Sequence, residues 1–223
     1  MKASTRTLGF LLRHGERADL VPEYFDTCEI FFDPPLTPKG LQQARAAAEV
    51  FRPYCAEYSN EDIHIYSSPL VRCLQTASQV ILGLGLQSTH KIYATSQIIE
   101  EITQCHFPKD PFKEGLVATK SHEYITKTYL NDVEFDDTMI KPLSYPEFYS
   151  ETTQRLADGY YSILQKHEKS ISIMVAHGRA IEEFNKYYGE SITEVCGYCG
   201  ISGVEKKTLN SPWKLFMSNN NIL

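Results

Sequence analysis

Residues 7–19 read Thr7-Leu8-Gly9-Phe10-Leu11-Leu12-Arg13-His14-Gly15-Glu16-Arg17-Ala18-Asp19. Positions 8–12 form a short, nearly continuous apolar run, which predicts a strand buried on both faces, as in a parallel sheet covered by helices. The run halts at Arg13-His14-Gly15. In an open α/β sheet, ligands bind outside the carboxyl ends of the strands, and this end delivers two potential cations and a glycine to such a place. Gly15 allows backbone to approach a ligand closely, and Arg13 and Arg17 can fork onto phosphate oxygens. Taken alone, the tripeptide reads equally well as an exposed basic strand end, because motifs this short recur by chance. The balance changes with Met174-Val175-Ala176-His177-Gly178, where a second apolar run also ends in His-Gly. Neighbouring strands of a parallel sheet point the same way, so two such ends can set their imidazoles side by side.

Between these stretches the chain alternates strand and helix signals. Residues 20–35 are loop-like, and Thr37-Pro38 then supplies an N-cap and a first-turn proline for a helix that Pro53 is expected to end or kink. Residues 63–66 predict a second strand, broken by Ser67-Ser68-Pro69, which caps a helix over about 70–82 carrying Arg72 in its first turn and stopped by Gly83 and Gly85. Residues 92–94 predict a third strand leading to Ile98-Ile99-Glu100-Glu101. Residues 104–145 read as an irregular, lid-like excursion with short helices. A long helix over about 146–167, the strand at 171–176, a helix to about 188 and two late strands near 198–204 and 213–217 complete the pattern. The whole, residues 1–223, is expected to be one three-layer α/β/α sandwich with a mostly parallel central sheet.

Composition narrows the function. The chain of 223 residues carries a formal net charge of −6, which argues against non-specific nucleic-acid binding but not against a local cationic pocket. The six cysteines are too few and too scattered for a disulfide scaffold. Cys196-Gly197-Tyr198-Cys199 is a C-x-x-C without the second pair or the histidines of a zinc site, in a segment that reads as a late strand rather than the strand-to-helix turn of a redox pair. No leader pattern opens the chain and no apolar run is long enough to span a bilayer, so a reducing compartment, cytoplasmic with the nucleus as an option, is expected. His64, inside an apolar strand, reads as a core histidine.

The ordered motifs resemble the histidine phosphatase superfamily, the phosphoglycerate mutase-like proteins. Arg13-His14-Gly15 matches the family's first motif, Leu36-Thr37-Pro38-Lys39-Gly40 the segment that follows, and Ser67-Ser68-Pro69-Leu70-Val71-Arg72 its second arginine motif. Ile98-Ile99-Glu100 matches the acid/base segment and Val175-Ala176-His177-Gly178 the second histidine. The resemblance spans roughly residues 6–217 and implies a phosphoglycerate mutase-like fold. It implies His14 as nucleophile, taking the phosphoryl group as a transient phosphohistidine. Arg13, Arg17, Arg72 and His177 would bind phosphate oxygens where charge develops. Glu100 would protonate the leaving oxygen and then activate water, although Ile99-Glu100-Glu101 fits the same pattern and keeps Glu101 open as the carboxylate. Gly178 after the second histidine, where another branch has Asp, also points the acid role to the glutamate. No metal or other cofactor is implied.

The continuation Glu16-Arg17-Ala18-Asp19 resembles the branch of suppressor-of-T-cell-receptor-signalling and ecdysteroid-phosphate phosphatases. The short segment before Leu36, and Glu101 where those relatives tend to show an aromatic residue, depart from that branch and bear on substrate identity. The expectation is a metal-independent phosphomonoesterase acting on phosphotyrosine or small phosphate esters. Its partner would be a phosphorylated small molecule or phosphoprotein, with no direct nucleic-acid or membrane binding. A phosphoglycerate-type mutase and a catalytically silent phosphatase-like complex subunit are the alternatives.

Overall fold

A computed structural model describes residues 6–29, 32–113, 122–189 and 196–222. Its strands are β1 (Thr7–Arg13), β2 (Ile63–Ser67), β3 (Ile92–Thr95), β4 (Phe135–Met139), β5 (Ile171–Ala176), β6 (Ile201–Lys206), β7 (Lys214–Ser218) and β8 (Asn221–Ile222). The helices are α1 (Pro38–Cys55), α2 (Val71–Leu84), α3 (His122–Tyr129), α4 (Tyr149–Lys166) and α5 (Gly178–Tyr187). One eight-stranded sheet runs in the order β4-β3-β2-β5-β1-β6-β7-β8. The first five of these pair in parallel, and β6, β7 and β8 are added antiparallel.

Period-two alternation sends the apolar side chains of β1 to two different layers. Leu8, Phe10 and Leu12 pack with Ala47 and Phe51 of α1 and with Leu74, Ala77 and Ile81 of α2. Leu11 packs on the other side with Leu156, Tyr160 and Leu164 of α4 and Ile181 and Phe184 of α5. Both faces are therefore covered, which is why β1 and β5 read as continuous apolar runs instead of alternating ones. At Gly9 a Cβ would overlap the Leu164 side chain, so α4 approaches β1 at this point because there is no side chain to keep it away.

Register decides where the chemistry goes. β1 and β5 are parallel neighbours, with Arg13 opposite Ala176, so His14 and His177 leave the same edge of the sheet one residue later. A single-residue slip would send one of them to the other face.

Five local expectations are corrected. Helix α1 begins as expected, with the Thr37 hydroxyl accepting from the Gly40 amide at 2.9 Å, but it runs on through Pro53 to Cys55. A proline in the last turn removes only one hydrogen bond near an end that frays anyway. The cap of α2 comes not from Ser67 or Ser68 but from Asp33, whose carboxylate accepts from the Val71 amide at 2.8 Å. Gly83 lies inside α2, and Gly85, at φ 77°, ends it. Residues 104–145 hold a short helix, α3, as expected, but they also add an edge strand, β4, to the sheet. The β4 sequence Phe-Asp-Asp-Thr-Met hides its strand character because an edge strand tolerates, and is protected by, exposed charge. Gly115 and its neighbours at 114–121 lie outside the described residues. Finally, Cys196–Cys199 form a turn ahead of β6, with Cys199 at φ 55°, and the late strand starts only at Ile201. All six cysteines are free thiols. Among the described residues no helix is long and apolar enough to cross a membrane.

Candidate active site

His14 follows β1 directly, its amide extending the ladder to the Ala176 carbonyl at 3.0 Å. The side chain is buried, and Nδ1 lies 2.8 Å from the Gly15 carbonyl oxygen. A carbonyl can only accept, so Nδ1 carries the proton and Nε2 keeps its lone pair. Burial first, then the nearby Arg72 and His177, hold the imidazole well below its ordinary pKa, so the ring is neutral at pH 7.

The loop that presents His14 is pinned by close packing. The Gly15 amide donates to Thr76 Oγ1 at 3.2 Å, and a Cβ at Gly15 would overlap the Gly40 carbonyl in the first turn of α1. A Cβ at Gly40 would in turn overlap the Glu16 backbone. Backbone cannot yield as a flexible side chain can. Gly15→Ala is therefore expected to cost about 1–3 kcal/mol of stability through overpacking and to displace His14. Denaturant titration beside kcat/KM checks this, and wild-type values of both would show that the His14 loop and the first turn of α1 can separate freely.

His177 occupies the residue before α5, with its ring centroid 5.4 Å from that of His14 and the planes at 66°. Its Nδ1 lies 3.2 Å from Glu100 Oε2 and its Nε2 lies 2.8 Å from Ser68 Oγ. This assigns Nδ1–H as donor to the carboxylate and Nε2 as acceptor from the Ser68 hydroxyl. Burial pushes His177 down to about 4 against the opposing pull of Glu100. Glu100 is held well below the carboxylate range: burial opposes this, but His177 and Arg72 outweigh it. At neutral pH the pair is a carboxylate facing a neutral imidazole.

Arg72, in the first turn of α2, is only 2% exposed. It lies between two carboxylates, with Nη1 3.6 Å from Asp33 and Nη2 3.7 Å from Glu100, and Nη2 is 3.4 Å from His177 Nδ1. Its Nε is buried without a hydrogen-bond partner. Asp33 is pushed up to about 6 by burial, with Arg72 and the Val71 amide pulling the other way. Arg13 donates Nη1 to the Cys196 carbonyl, lies with Cζ 4.5 Å from the centroid of the Tyr198 ring, and passes beside Gly178 at the start of α5. Its Nε is also buried and unpartnered. Two buried guanidinium donors without partners at one sheet edge, around a neutral imidazole with a free lone pair, make a site suited to a tetrahedral oxyanion.

Of the expected residues, the structure brings His14, His177, Arg72 and Glu100 together, with Arg13 alongside. Arg17 is near, but its guanidinium forks onto Asp19, with Nε and Nη2 at 2.9 and 2.6 Å from the two carboxylate oxygens. Glu100, not Glu101, reaches His177 and Arg72. Asp33, Ser68, Cys73 and Tyr198 belong to the surroundings and were not singled out from sequence. Ser68 had a signal, because it follows β2, the neighbour of β5. Asp33 had none, since it comes from an irregular segment 38 residues away from the amide it caps. His64 is not a core residue: it is half-buried and stacks on His167 at 3.5 Å between centroids.

Comparison with known proteins bears on the family and the fold. The description of the histidine phosphatase superfamily (branch 1) matches residues 10–190. Ecdysteroid-phosphate phosphatase of Drosophila melanogaster is 23% identical over 254 residues, covering 92% of this chain and 31% of that protein. Phosphoglycerate mutase 3 of Saccharomyces cerevisiae is 34% identical over 99 residues, 43% of this chain and 31% of that protein. The chain thus spans about a third of the length of these curated relatives. Among solved structures, the ecdysone phosphate phosphatase of Bombix mori, in complex with tungstate, superposes with a TM-score of 0.66 at 20% identity, covering 94% of this chain and 91% of that one. Phosphoglycerate mutase from Bacillus anthracis superposes at 0.59 with 16% identity, covering 96% and 92%. These likenesses show the shared three-layer fold, and with the family match over most of its length the chain belongs to the histidine phosphatase superfamily, branch 1, whose members here are phosphatase- and mutase-like enzymes.

Proposed function

We propose that the chain is a metal-independent phosphomonoesterase that works through a phosphohistidine at His14, on phosphotyrosine or small phosphate esters. One observation carries this reading: the Nδ1–H bond to the Gly15 carbonyl leaves a neutral His14 with Nε2 as a free nucleophile beside Arg72 and His177. In the first step Nε2 attacks phosphorus, the bond from phosphorus to the ester oxygen breaks, and that oxygen takes a proton from Glu100. In the second step water attacks the phosphorus, gives its proton to the Glu100 carboxylate, and the P–N bond breaks to release phosphate. Arg13 and Arg72 bind the non-bridging oxygens, His177 joins them by turning its Nδ1–H from Glu100 to a phosphate oxygen, and Arg17 joins them by leaving Asp19. Charge stabilisation of this kind comes from groups already in place.

Glu100 is ionised in the free protein, so the proton it gives to the leaving oxygen first passes to its carboxylate from the substrate, which binds as its monoanion. The second pKa of a phosphate ester is about 6. For alkyl phosphates kcat/KM is therefore expected to fall as pH rises above that value. In Glu100→Gln, kcat/KM for an alkyl phosphate is expected to drop about 100- to 1,000-fold, and for p-nitrophenyl phosphate, whose leaving group needs no proton, far less. Because the variant also lacks the base for the second step, both substrates should show one common slow kcat after a burst of released alcohol. Assays run with and without a chelator test metal independence. Equal losses of kcat/KM on both substrates would remove Glu100 from the acid role, and rapid phosphoryl exchange between hydroxyls with little free phosphate would replace the phosphatase by a mutase.

A further inference from the structure

Glu100 is carried by no regular element. It follows the single 3-10 turn after β3, in a stretch where backbone alone would hold it loosely. From α4, the Arg155 guanidinium reaches into this stretch. Nη1 donates to the carbonyls of Ser96, Gln97 and Ile99 at 3.4, 3.1 and 3.1 Å, and Nη2 donates to that of Glu100 at 3.3 Å. The same guanidinium is held by a buried fork to Glu147, with Nε and Nη2 at 2.6 and 2.7 Å from the two carboxylate oxygens. Glu147 grips the other side of Glu100: its backbone amide donates to the Ile102 carbonyl at 2.7 Å, and its Oε2 accepts from the Ile102 amide at 3.2 Å. Thr152 completes that oxygen with a bond of 3.1 Å. Contact between α4 and the turn is close enough that a Cβ at Gly159 would press on Gln97.

We infer that Arg155 and Glu147 are positioning residues for Glu100, setting its carboxylate against His177 and the leaving oxygen. Desolvating two charges costs several kcal/mol and is often no net gain for stability. Apart from the Thr152 bond, the pair's remaining hydrogen bonds go to the one irregular segment that bears the site carboxylate, bracketing it at residues 96–100 and at 102. Arginine suits the task because a planar fork can serve several carbonyls and a carboxylate at once, whereas an ammonium group is a point donor. The outer side of the pair borders a cleft of about 780 Å³ that also takes in Thr95, Met139 and Asp158 and contains none of His14, Arg72 or His177. The pair therefore stands behind the site without touching substrate. A displacement of the carboxylate by about 1 Å is enough to cost on the order of 100-fold in rate.

The inference rests on the acid–base reading of Glu100, and the experiment separates the two. In Arg155→Lys, kcat/KM for an alkyl phosphate is expected to fall about 10- to 100-fold, with p-nitrophenyl phosphate changed less than about threefold and vanadate affinity likewise. In a Glu100→Gln background the same substitution should change kcat/KM for the alkyl phosphate by less than about twofold, since there is no acid left to misplace. Glu147→Gln, which keeps the shape and a partial hydrogen-bond partner, is expected to give the same leaving-group pattern at smaller size, and it decides the matter if Arg155→Lys does not fold. Equal losses on both substrates, loss of vanadate binding, or the full penalty persisting in the Glu100→Gln background would overturn the positioning role. If Glu100→Gln alone leaves alkyl and aryl phosphates at wild-type kcat/KM, the acid–base reading itself has failed instead.

Discussion

His14→Ala is expected to abolish phosphoester hydrolysis, with kcat falling roughly 10⁴- to 10⁶-fold, as when a covalent nucleophile is removed elsewhere. Vanadate should still bind within a few-fold, because the guanidinium groups that hold an oxyanion are untouched. The loss should be this complete because no neighbour can substitute. His177 is also a neutral imidazole, but its Nδ1 donates to Glu100 and its Nε2 accepts from Ser68, so neither ring nitrogen has a spare lone pair. Cys73 lies 3.5 Å from His177 Nε2, yet burial pushes its thiol pKa far up and leaves it protonated. In the wild-type protein, substrate labelled in its phosphoryl group and quenched in alkali should leave an acid-labile adduct on the chain, absent from His14→Ala. Equal labelling of the variant, or turnover within tenfold of wild type, would sink the covalent scheme.

The parts of this site that could be read from the sequence are those fixed by strand register. His14 and His177 each follow an apolar run that must be a buried strand, and parallel pairing then places them together. Arg72 was legible for a related reason: it lies in the first turn of the helix that β2 feeds, beside β5. Residues that arrive from irregular backbone were not legible. Asp33 reaches α2 across a loop whose path depends on tertiary packing, and nothing in its neighbourhood announces a helix cap. Strand β4 was lost because its exposed aspartates follow the logic of an edge rather than of a core. Arg17 shows a different limit. Its place after the first motif is right for the pocket, but the local bidentate pairing with Asp19, two residues on, decides where its guanidinium points.

The second large effect is expected from Arg72→Met, which keeps the length and apolar stem of the side chain while deleting its charge. Activity should fall about 100- to 1,000-fold from loss of a pre-placed donor to the phosphate oxygens. Stability should fall as well, by about 3–5 kcal/mol, because two carboxylates, the buried Asp33 and the largely buried Glu100, are left without their shared cation. The pH dependence of that loss is the distinguishing test. In the wild-type fold Asp33 titrates at about 6, above its ordinary 3.8, so its contribution to stability is fully present below the lower value and is lost as pH rises through the upper one. Removing Arg72 takes away a charge that lowers this pKa, so the Asp33 pKa rises further and the declining window extends to higher pH. Glu100 shifts in the same sense: part of what holds it low is Arg72, and the stability it contributes above the ordinary carboxylate range shrinks when that pull is lost. Both groups make the variant lose more ground at high pH than at low. Urea titrations at pH 5 and pH 8 should therefore give a larger stability difference between wild type and Arg72→Met at pH 8. A difference that is the same at both values, or larger at pH 5, would mean that Arg72 supports the fold through packing of its stem rather than as the counter-charge of Asp33 and Glu100.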